Sequence, residues 1–280
     1  MNEKLKLGQI NKLKIDRTSE HGLYLVTDDD QEDVLLPGPY VTDEMLLGEE
    51  IDVFIYTDSE DRIVATTKTP KALLGEFELF KVVDVTPFGV FVDWGLPKDL
   101  FVPKSAQKHP LELGKSYILR VAYDEKSDRL FGDSKIGRYL EKDLKKLQDV
   151  KSVKLLIIAK TPLGYKVIVE NLYEGMIFDN EIFESIKIGD KKTGYIKNIR
   201  DDAKLDISLQ PIGEDKQIGQ NEKIISLLNK TPTLPYNYKS SSKDIADVFG
   251  MSKKSFKKAL TTLKDEKIIQ IDEKGIRLLT

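Results

Sequence analysis

Val82–Gly95 reads VVDVTPFGVFVDWG, and the fold follows from the way that stretch recurs. Within it, PFGVFVD (Pro87–Asp93) alternates about Phe91, so Val90 and Val92 share one face of a strand and Phe91 takes the other. LGKSYILRV (Leu113–Val121) follows, with Gly89 and Gly114 separated by 25 positions. The same pair of segments occurs twice more. EHGLYLV (Glu20–Val26) precedes LGEEIDVFI (Leu47–Ile55), with Gly22 and Gly48 26 positions apart. PLGYKVIV (Pro162–Val169) precedes IGDKKTGYI (Ile188–Ile196), with Gly164 and Gly189 again 25 apart. A pattern kept in both spacing and context is an internal repeat, and it sets the architecture.

Each repeat predicts five short strands. In the second they fall at Phe77–Val85, Gly89–Val92, Asp99–Val102, Ser116–Tyr123 and Arg129–Phe131, with turn residues between them. An isolated hairpin cannot bury its apolar face, whereas five strands in about 60 residues can close on themselves as a small Greek-key barrel of the OB type. Tyr139–Gln148, basic and spaced by Leu140, Leu144 and Leu147, predicts a helical connector acting as a packing spacer. After the third repeat the period changes. Gln220–Asn229 is amphipathic, Lys243–Phe249 reads as a short helix, and Gly250 turns into a longer one at Met251–Lys264 with Ser252 as N-cap. Lys267–Ile271 and Gly275–Leu279 then pair, which completes the order of a winged helix. The expected fold is multidomain and mainly β: three tandem OB-type five-stranded barrels at 1–68, 69–138 and 150–213, a connector at 139–149, and a small α+β winged-helix domain at 218–280.

Composition narrows the chemistry. The 280 residues include no cysteine and two histidines, His21 and His109, which excludes disulfide scaffolds, thiol nucleophiles and cysteine-ligated metals and leaves too few imidazoles for a histidine-built site. No run of 18 apolar residues is present, and the start, MNEKLKLGQI, is charged where a signal peptide needs apolar residues. The expectation is a soluble cytoplasmic chain with no membrane contact. Acidic groups such as Asp28–Asp30 or Asp201 and Asp202 fall in turns, where Asp is favoured for backbone reasons. No P-loop, Ser–His–Asp order or HExxH motif occurs. No catalytic residue, metal or cofactor is therefore expected.

The net charge of −3 conceals an uneven distribution. Met1–Lys68 holds sixteen acidic against seven basic residues, a net −9; Gly75–Leu140 is balanced at ten each; Ile218–Thr280 holds twelve basic against seven acidic, a net +5. Binding to an anionic partner is accordingly a local matter, since screening limits exposed charges to about 8 Å.

The repeat resembles the ribosomal S-one RNA-binding domain. The second copy matches it most fully, through VVDVTPFGVFVDWG, DLFVPKSA (Asp99–Ala106) and VAYDEKSDRL (Val121–Leu130). The complete order, three such barrels and then a winged helix, resembles the conserved virulence factor B family over nearly the whole chain. That resemblance implies an RNA-binding face with two aromatics flanking the turn glycine, a His on the third strand, and an Asp and an Arg near the last two strands. Phe88 and Phe91 match the aromatic pair, Asp124 and Arg129 approximate the polar pair with one extra residue between them, and Val102 falls at the His position, which removes a base-edge hydrogen bond. In the first copy the slots hold His21, Tyr24 and Arg62. In the third they hold Leu163 and Lys166, where stacking should be poor.

The physical basis of such a face is simple. Two exposed aromatics offer a shelf to unpaired bases, each stacked base being worth about 1–3 kcal/mol, and Lys81, Lys104 and Arg129 are candidates for phosphate contacts. The competing reading of Phe88 and Phe91 is a core or interdomain position. Met251–Lys264 carries Lys253, Lys254, Lys257, Lys258 and Lys264 and no acid. Its i,i+4 lysine pairs repel one another, and a phosphate backbone would relieve that cost; the competing reading is a solvated lysine face. The expectation is a non-catalytic protein whose partner is single-stranded RNA, with a monomer favoured. The family resemblance implies a bacterial regulator of gene expression acting after transcription, virulence factors included. The alternatives are a duplex-DNA regulator that places Met251–Lys264 in the major groove, and an adaptor whose acidic first barrel takes a protein partner.

Overall fold

In a computed structural model of the chain the described residues are 5–27, 32–147, 150, 152–212 and 214–279; the Asp28–Asp30 cluster lies outside them. The chain forms two compact units, Met1–Tyr139 and Leu140–Thr280.

The first unit holds two barrels. β1 (Ile10–Ser19), β2 (Gly22–Val26), β3 (Asp33–Pro37), β4 (Glu50–Thr57) and β5 (Ile63–Thr66) close in the order β1-β2-β3-β5-β4. β6 (Phe77–Val85), β7 (Gly89–Val92), β8 (Leu100–Pro103), β9 (Ser116–Asp124) and β10 (Arg129–Asp133) form a sheet in the order β10-β9-β6-β7-β8. β8 lies against β10 without a ladder between them: a Cβ on Gly132 would come within 2.8 Å of Val102 Cγ2. The second unit begins with a third closed barrel, β11 (Val153–Thr161), β12 (Gly164–Val169), β13 (Tyr173–Phe178), β14 (Lys191–Ile199) and β15 (Leu205–Ser208), in the same strand order as the first.

The repeat extends to individual hydrogen bonds. A hydroxyl three residues before the first glycine closes each turn: Ser19 Oγ donates to the Gly22 carbonyl at 3.0 Å, Thr86 Oγ1 to that of Gly89 at 2.9 Å and Thr161 Oγ1 to that of Gly164 at 3.0 Å. The first strand is bulged at Ile15–Arg17, Val82–Asp84 and Ile157–Ala159. At each bulge the second glycine donates its N–H to the strand, Gly48 to Ile15, Gly114 to Val82 and Gly189 to Ile157, at 2.7, 3.0 and 2.9 Å. A bulge increases the bend and twist that a short strand needs to pair on both edges of a closed barrel. Gly22 and Gly164 have φ of 143° and 147°, and a Cβ there would lie 2.1 and 2.0 Å from the carbonyl oxygens of Leu36 and Ile177. Only glycine fits such an approach.

Strand alternation fills the barrels. Leu13, Ile15, Leu23, Leu25, Val34 and Leu36 belong to the first core, and Leu155, Ile157, Val167, Val169, Ile177 and Ile207 to the third. The second core continues into the first barrel: Phe54, Tyr56 and Val64 pack in one cluster with Val92, Trp94, Leu100 and Val121. Trp94 meets Phe54 edge-on at 5.5 Å between centroids and donates its Nε1–H to the Ala72 carbonyl at 2.8 Å. The second barrel's apolar cluster thus takes in Phe54, Tyr56 and Val64 of the first barrel, whose interior forms a cluster of its own.

The expected connector helix at Tyr139–Gln148 is replaced, over its described part, by irregular chain with a single 3₁₀ turn at Lys145–Leu147. Leu144 and Leu147 pack into the third core, and Glu141 N–H bonds the Leu172 carbonyl. A segment this short gains more by lying on the barrel than from helical bonds of its own.

The C-terminal part runs α1 (Glu214–Lys230), β16 (Thr233–Leu234), α2 (Ser242–Phe249), α3 (Lys253–Asp265), β17 (Ile269–Asp272) and β18 (Gly275–Leu278), with sheet order β16-β18-β17. This is the winged helix, with α1 longer than its amphipathic stretch suggested. β16, two residues long, is too short to leave a period in the sequence. Ser252 caps α3, its Oγ accepting from Ser255 N–H at 3.1 Å. Met251, expected as the first helical residue, instead precedes the cap and is buried in the winged-helix core with Phe249, Phe256 and Leu260.

Candidate nucleic-acid interface

The second barrel presents an aromatic shelf. Thr86 Oγ1, besides bonding the Gly89 carbonyl, accepts from the N–H groups of Phe88 and Gly89 at 3.3 and 3.2 Å. This knot leaves Phe88 at the tip of the β6–β7 turn, 78% exposed. Phe91 is half-buried, and the cause is a neighbour that the motif does not point to. Phe91 and Phe101 are register partners on β7 and β8, with ring centroids 5.1 Å apart and planes at 46°. A Cβ on Gly89 would fall 2.8 Å from Phe101 Cζ and 2.4 Å from the Val102 carbonyl oxygen; the glycine makes room for the Phe101 ring. Phe131 on β10 is half-buried and also turned outward, between the inward Leu130 and Gly132. Neither Phe88 nor Phe91 is sealed in the core.

The third-strand position expected at Val102 is a correction. Val102 is fully buried, so the outward positions of β8 are Phe101 and Pro103. The alternation that turns Phe91 outward, applied to DLFVPKSA, points to Phe101.

The surrounding cations divide. Lys104 donates its backbone N–H to the Phe88 carbonyl at 3.0 Å, which puts an exposed lysine at the Phe88 end of the shelf. Lys81 is exposed at the opposite end of β7, its carbonyl accepting from Asp93 N–H. Asp124 closes the β9–β10 turn, accepting from Ser127 Oγ at 2.6 Å and from Lys126 N–H at 3.3 Å, and those bonds hold its carboxyl below the usual range. Arg129 is ion-paired through Nη2 with Asp61 Oδ2 of the first barrel, while Lys98 Nζ reaches Asp61 Oδ1 at 3.3 Å. Desolvation opposes the Asp61 charge, yet the bonds and charges of Lys98 and Arg129 keep its carboxyl below the ordinary value. Arg129, a candidate for phosphate contact, is therefore already ion-paired to a carboxylate of the first barrel.

The first barrel brings His21, Tyr24 and Arg62 around one shallow hollow of about 570 Å³, together with Asp33 and Asp58. Each arginine there is answered. The Arg17 guanidinium lies 4.1 Å over the Tyr24 ring and pairs with Asp33 at 2.6 Å and Asp16 at 2.9 Å. Arg62 pairs with Asp58 at 2.6 Å and Glu60 at 3.0 Å, and His21 Nε2 lies 3.3 Å from Glu20. Arg17, invisible to the motif, covers the ring on which a base would stack. In the third barrel Leu163 is exposed at the turn and Lys166 lies 3.5 Å from Glu174.

α3 turns Phe256, Ala259, Leu260 and Leu263 inward, which leaves Lys254, Lys257 and Lys258 exposed and Lys253 half-exposed. Among the described residues no carboxylate pairs with any of these four, and the first turn of α3 carries no acid to complement its dipole. Among the described residues no group of three or more His, Cys, Asp or Glu is placed to hold a metal ion. No helix there is long and apolar enough to cross a membrane.

Two family models match the chain: an S1 domain over residues 7–68, and a CvfB-like winged helix domain over residues 222–278. The first match falls on the acidic barrel rather than on the one with the fullest aromatic pattern. The chain is 29% identical to the YitL protein of Bacillus subtilis (strain 168) over 287 residues, covering 96% of this chain and 92% of that one. It is 26% identical to conserved virulence factor B of Staphylococcus aureus (strain USA300) over 249 residues, covering 84% and 81%, and 27% identical to the protein of that name from Staphylococcus haemolyticus over 244 residues, covering 84% and 82%. A crystal structure of a multidomain protein with nucleic acid binding domains from Streptococcus pneumoniae aligns over 98% of both chains at 23% identity, with a TM-score of 0.42. The chain thus resembles the conserved virulence factor B proteins over most of its length.

Proposed function

We propose that this chain, with an S1 domain at one end and a CvfB-like winged helix at the other, is a non-catalytic protein that binds single-stranded RNA. The observation that carries the reading is Phe88, a large apolar ring held in solvent by the Thr86 knot beside Phe91 and Phe101. Solvent exposure of that ring is unfavourable unless something covers it, and an unpaired base offers a π face of the right size. Lys104 beside the shelf and the lysines of α3, which have no carboxylate partner among the described residues, supply phosphate contacts, which position a strand without reading it. Two stacked bases give only weak affinity after ordering costs, so tethered modules are needed to hold one strand. A cytoplasmic role after transcription belongs to the same proposal, and the name conserved virulence factor B, carried by two of the relatives, adds virulence to it.

The test is binding of a labelled single-stranded oligoribonucleotide to the full chain. Phe88→Ala with Phe91→Ala should remove about 1–3 kcal/mol for each stack abolished while thermal unfolding stays cooperative; unchanged affinity would refute the shelf. Equal-length duplex DNA at the same salt is the control, since stronger duplex binding would favour a DNA regulator acting through α3.

A further inference from the structure

We propose that Lys98 and Arg129 form a phosphate subsite on the second barrel, and that Asp61 of the first barrel occupies it as a carboxylate stand-in which an incoming strand must displace. The inference rests on the single-strand reading above and adds to it a subsite and a built-in competitor.

The geometry is that of one anion shared by two cations. Asp61 offers Oδ1 to Lys98 Nζ at 3.3 Å and Oδ2 to Arg129 Nη2. A phosphate presents oxygens to the same pair of donors in the same way. Arg129 opens β10 two positions before Phe131 and therefore shares the outward face of β10 with it. Lys98 is anchored by the Asp58 carbonyl at 2.7 Å and Thr57 Oγ1 at 3.3 Å, which fixes its ammonium in place. Asp61 takes a left-handed conformation, φ 60°, in the β4–β5 turn. The shared core of Phe54, Tyr56 and Val64 with Trp94 keeps that turn against the second barrel, so the carboxylate is a permanent competitor at high local concentration.

The arrangement also accounts for an acidic barrel beside an RNA shelf. The side chains of Arg129 and Asp61 are 58% and 44% exposed, and exposed pairs of this kind are weak and screened by salt. A strand that stacks on the phenylalanines can displace Asp61, whereas a polyanion offering charge alone competes with a carboxylate already seated. The competitor thus favours unpaired bases over generic phosphate.

The experiment uses the full chain and a fluorescently labelled oligouridylate of about 12 nucleotides, with affinity read by anisotropy from about 50 to 200 mM salt. The variants are Asp61→Asn, Arg129→Gln, their combination, and Phe88→Ala with Phe91→Ala. Asn tolerates the left-handed turn, and a melting curve checks the fold. Asp61→Asn should bind roughly three- to tenfold tighter at low salt, and its log–log salt slope should steepen by about 0.7 to 1.4, the yield of one or two phosphates. Adding Arg129→Gln should cancel most of that gain. Loss of binding in the phenylalanine variant with no change in Asp61→Asn would overturn the subsite and leave the proposed function standing. Insensitivity to both changes would remove both. Tighter binding of Asp61→Asn that survives Arg129→Gln would show general charge relief and would also overturn the subsite.

Discussion

Phe88 and Gly164 mark the two extremes of what a single side chain does in these barrels. Phe88 contributes little to packing, so its replacement should change stability by no more than about 0.5 kcal/mol, with binding bearing the loss. Gly164 has no room at all: a Cβ meets the Ile177 carbonyl oxygen at 2.0 Å. Gly164→Ala should cost more than about 2 kcal/mol in chemical denaturation, while Gly48→Ala, with φ 87° but nothing within 4 Å, should cost only the backbone strain of about 1–2 kcal/mol. Two tyrosines give a pH signature. Burial, assisted by Tyr40, pushes Tyr56 up to about 12, and burial with the hydrogen bond to Asp133 pushes Tyr139 up to about 12. A tyrosine whose pKa is higher folded than unfolded contributes stability that is complete below about pH 10 and is lost as pH rises toward 12. An absorbance titration should show two of the eleven tyrosines ionising last, with unfolding midpoints declining over the same window.

At the scale of elements, α3 and the first strands of the barrels are set by different forces. α3 buries four apolar residues and leaves Lys253, Lys254, Lys257 and Lys258 exposed or half-exposed, without carboxylate partners among the described residues. Replacing Lys253, Lys254, Lys257 and Lys258 by Ala should leave the helix as stable or slightly more so, because i,i+4 repulsion and the unfavourable N-terminal charges are removed. RNA binding should weaken and the salt slope flatten by about 0.7 for each phosphate no longer neutralised; an unchanged slope would take α3 out of the interface. Strand existence and the OB pattern were legible because Val90, Val92 and their counterparts alternate cleanly. The connector is not helical because Leu144 and Leu147, though helically spaced, find their partners in the third barrel, and tertiary burial outweighs a local period in so short a segment.

For the whole molecule, the shared core of the first unit has an energetic consequence. Phe54, Tyr56 and Val64 lie in the same cluster as Trp94, so the two barrels should unfold in one step rather than two. Trp94 is the sole tryptophan, which makes its fluorescence a reporter for that unit. Trp94→Phe should retain the single transition, and Trp94→Ala should lower stability by about 3–5 kcal/mol. Far-UV circular dichroism compared with Trp94 fluorescence should then separate the unfolding of Met1–Tyr139 from that of Leu140–Thr280.

The sequence by itself determined the three repeats, the winged helix, the acidic first barrel and the alternation that sets Phe91 opposite Val90 and Val92, because alternation, turn glycines and charge are local properties of the chain. Tertiary structure alone decided the partners. Phe101 over Gly89, Arg17 over Tyr24, and Asp61 between Lys98 and Arg129 join residues on different strands and turns, and the last of these brings together positions far apart in sequence. Which cation meets a phosphate depends on the carboxylate that folding sets beside it, and no spacing rule along the chain encodes that distance.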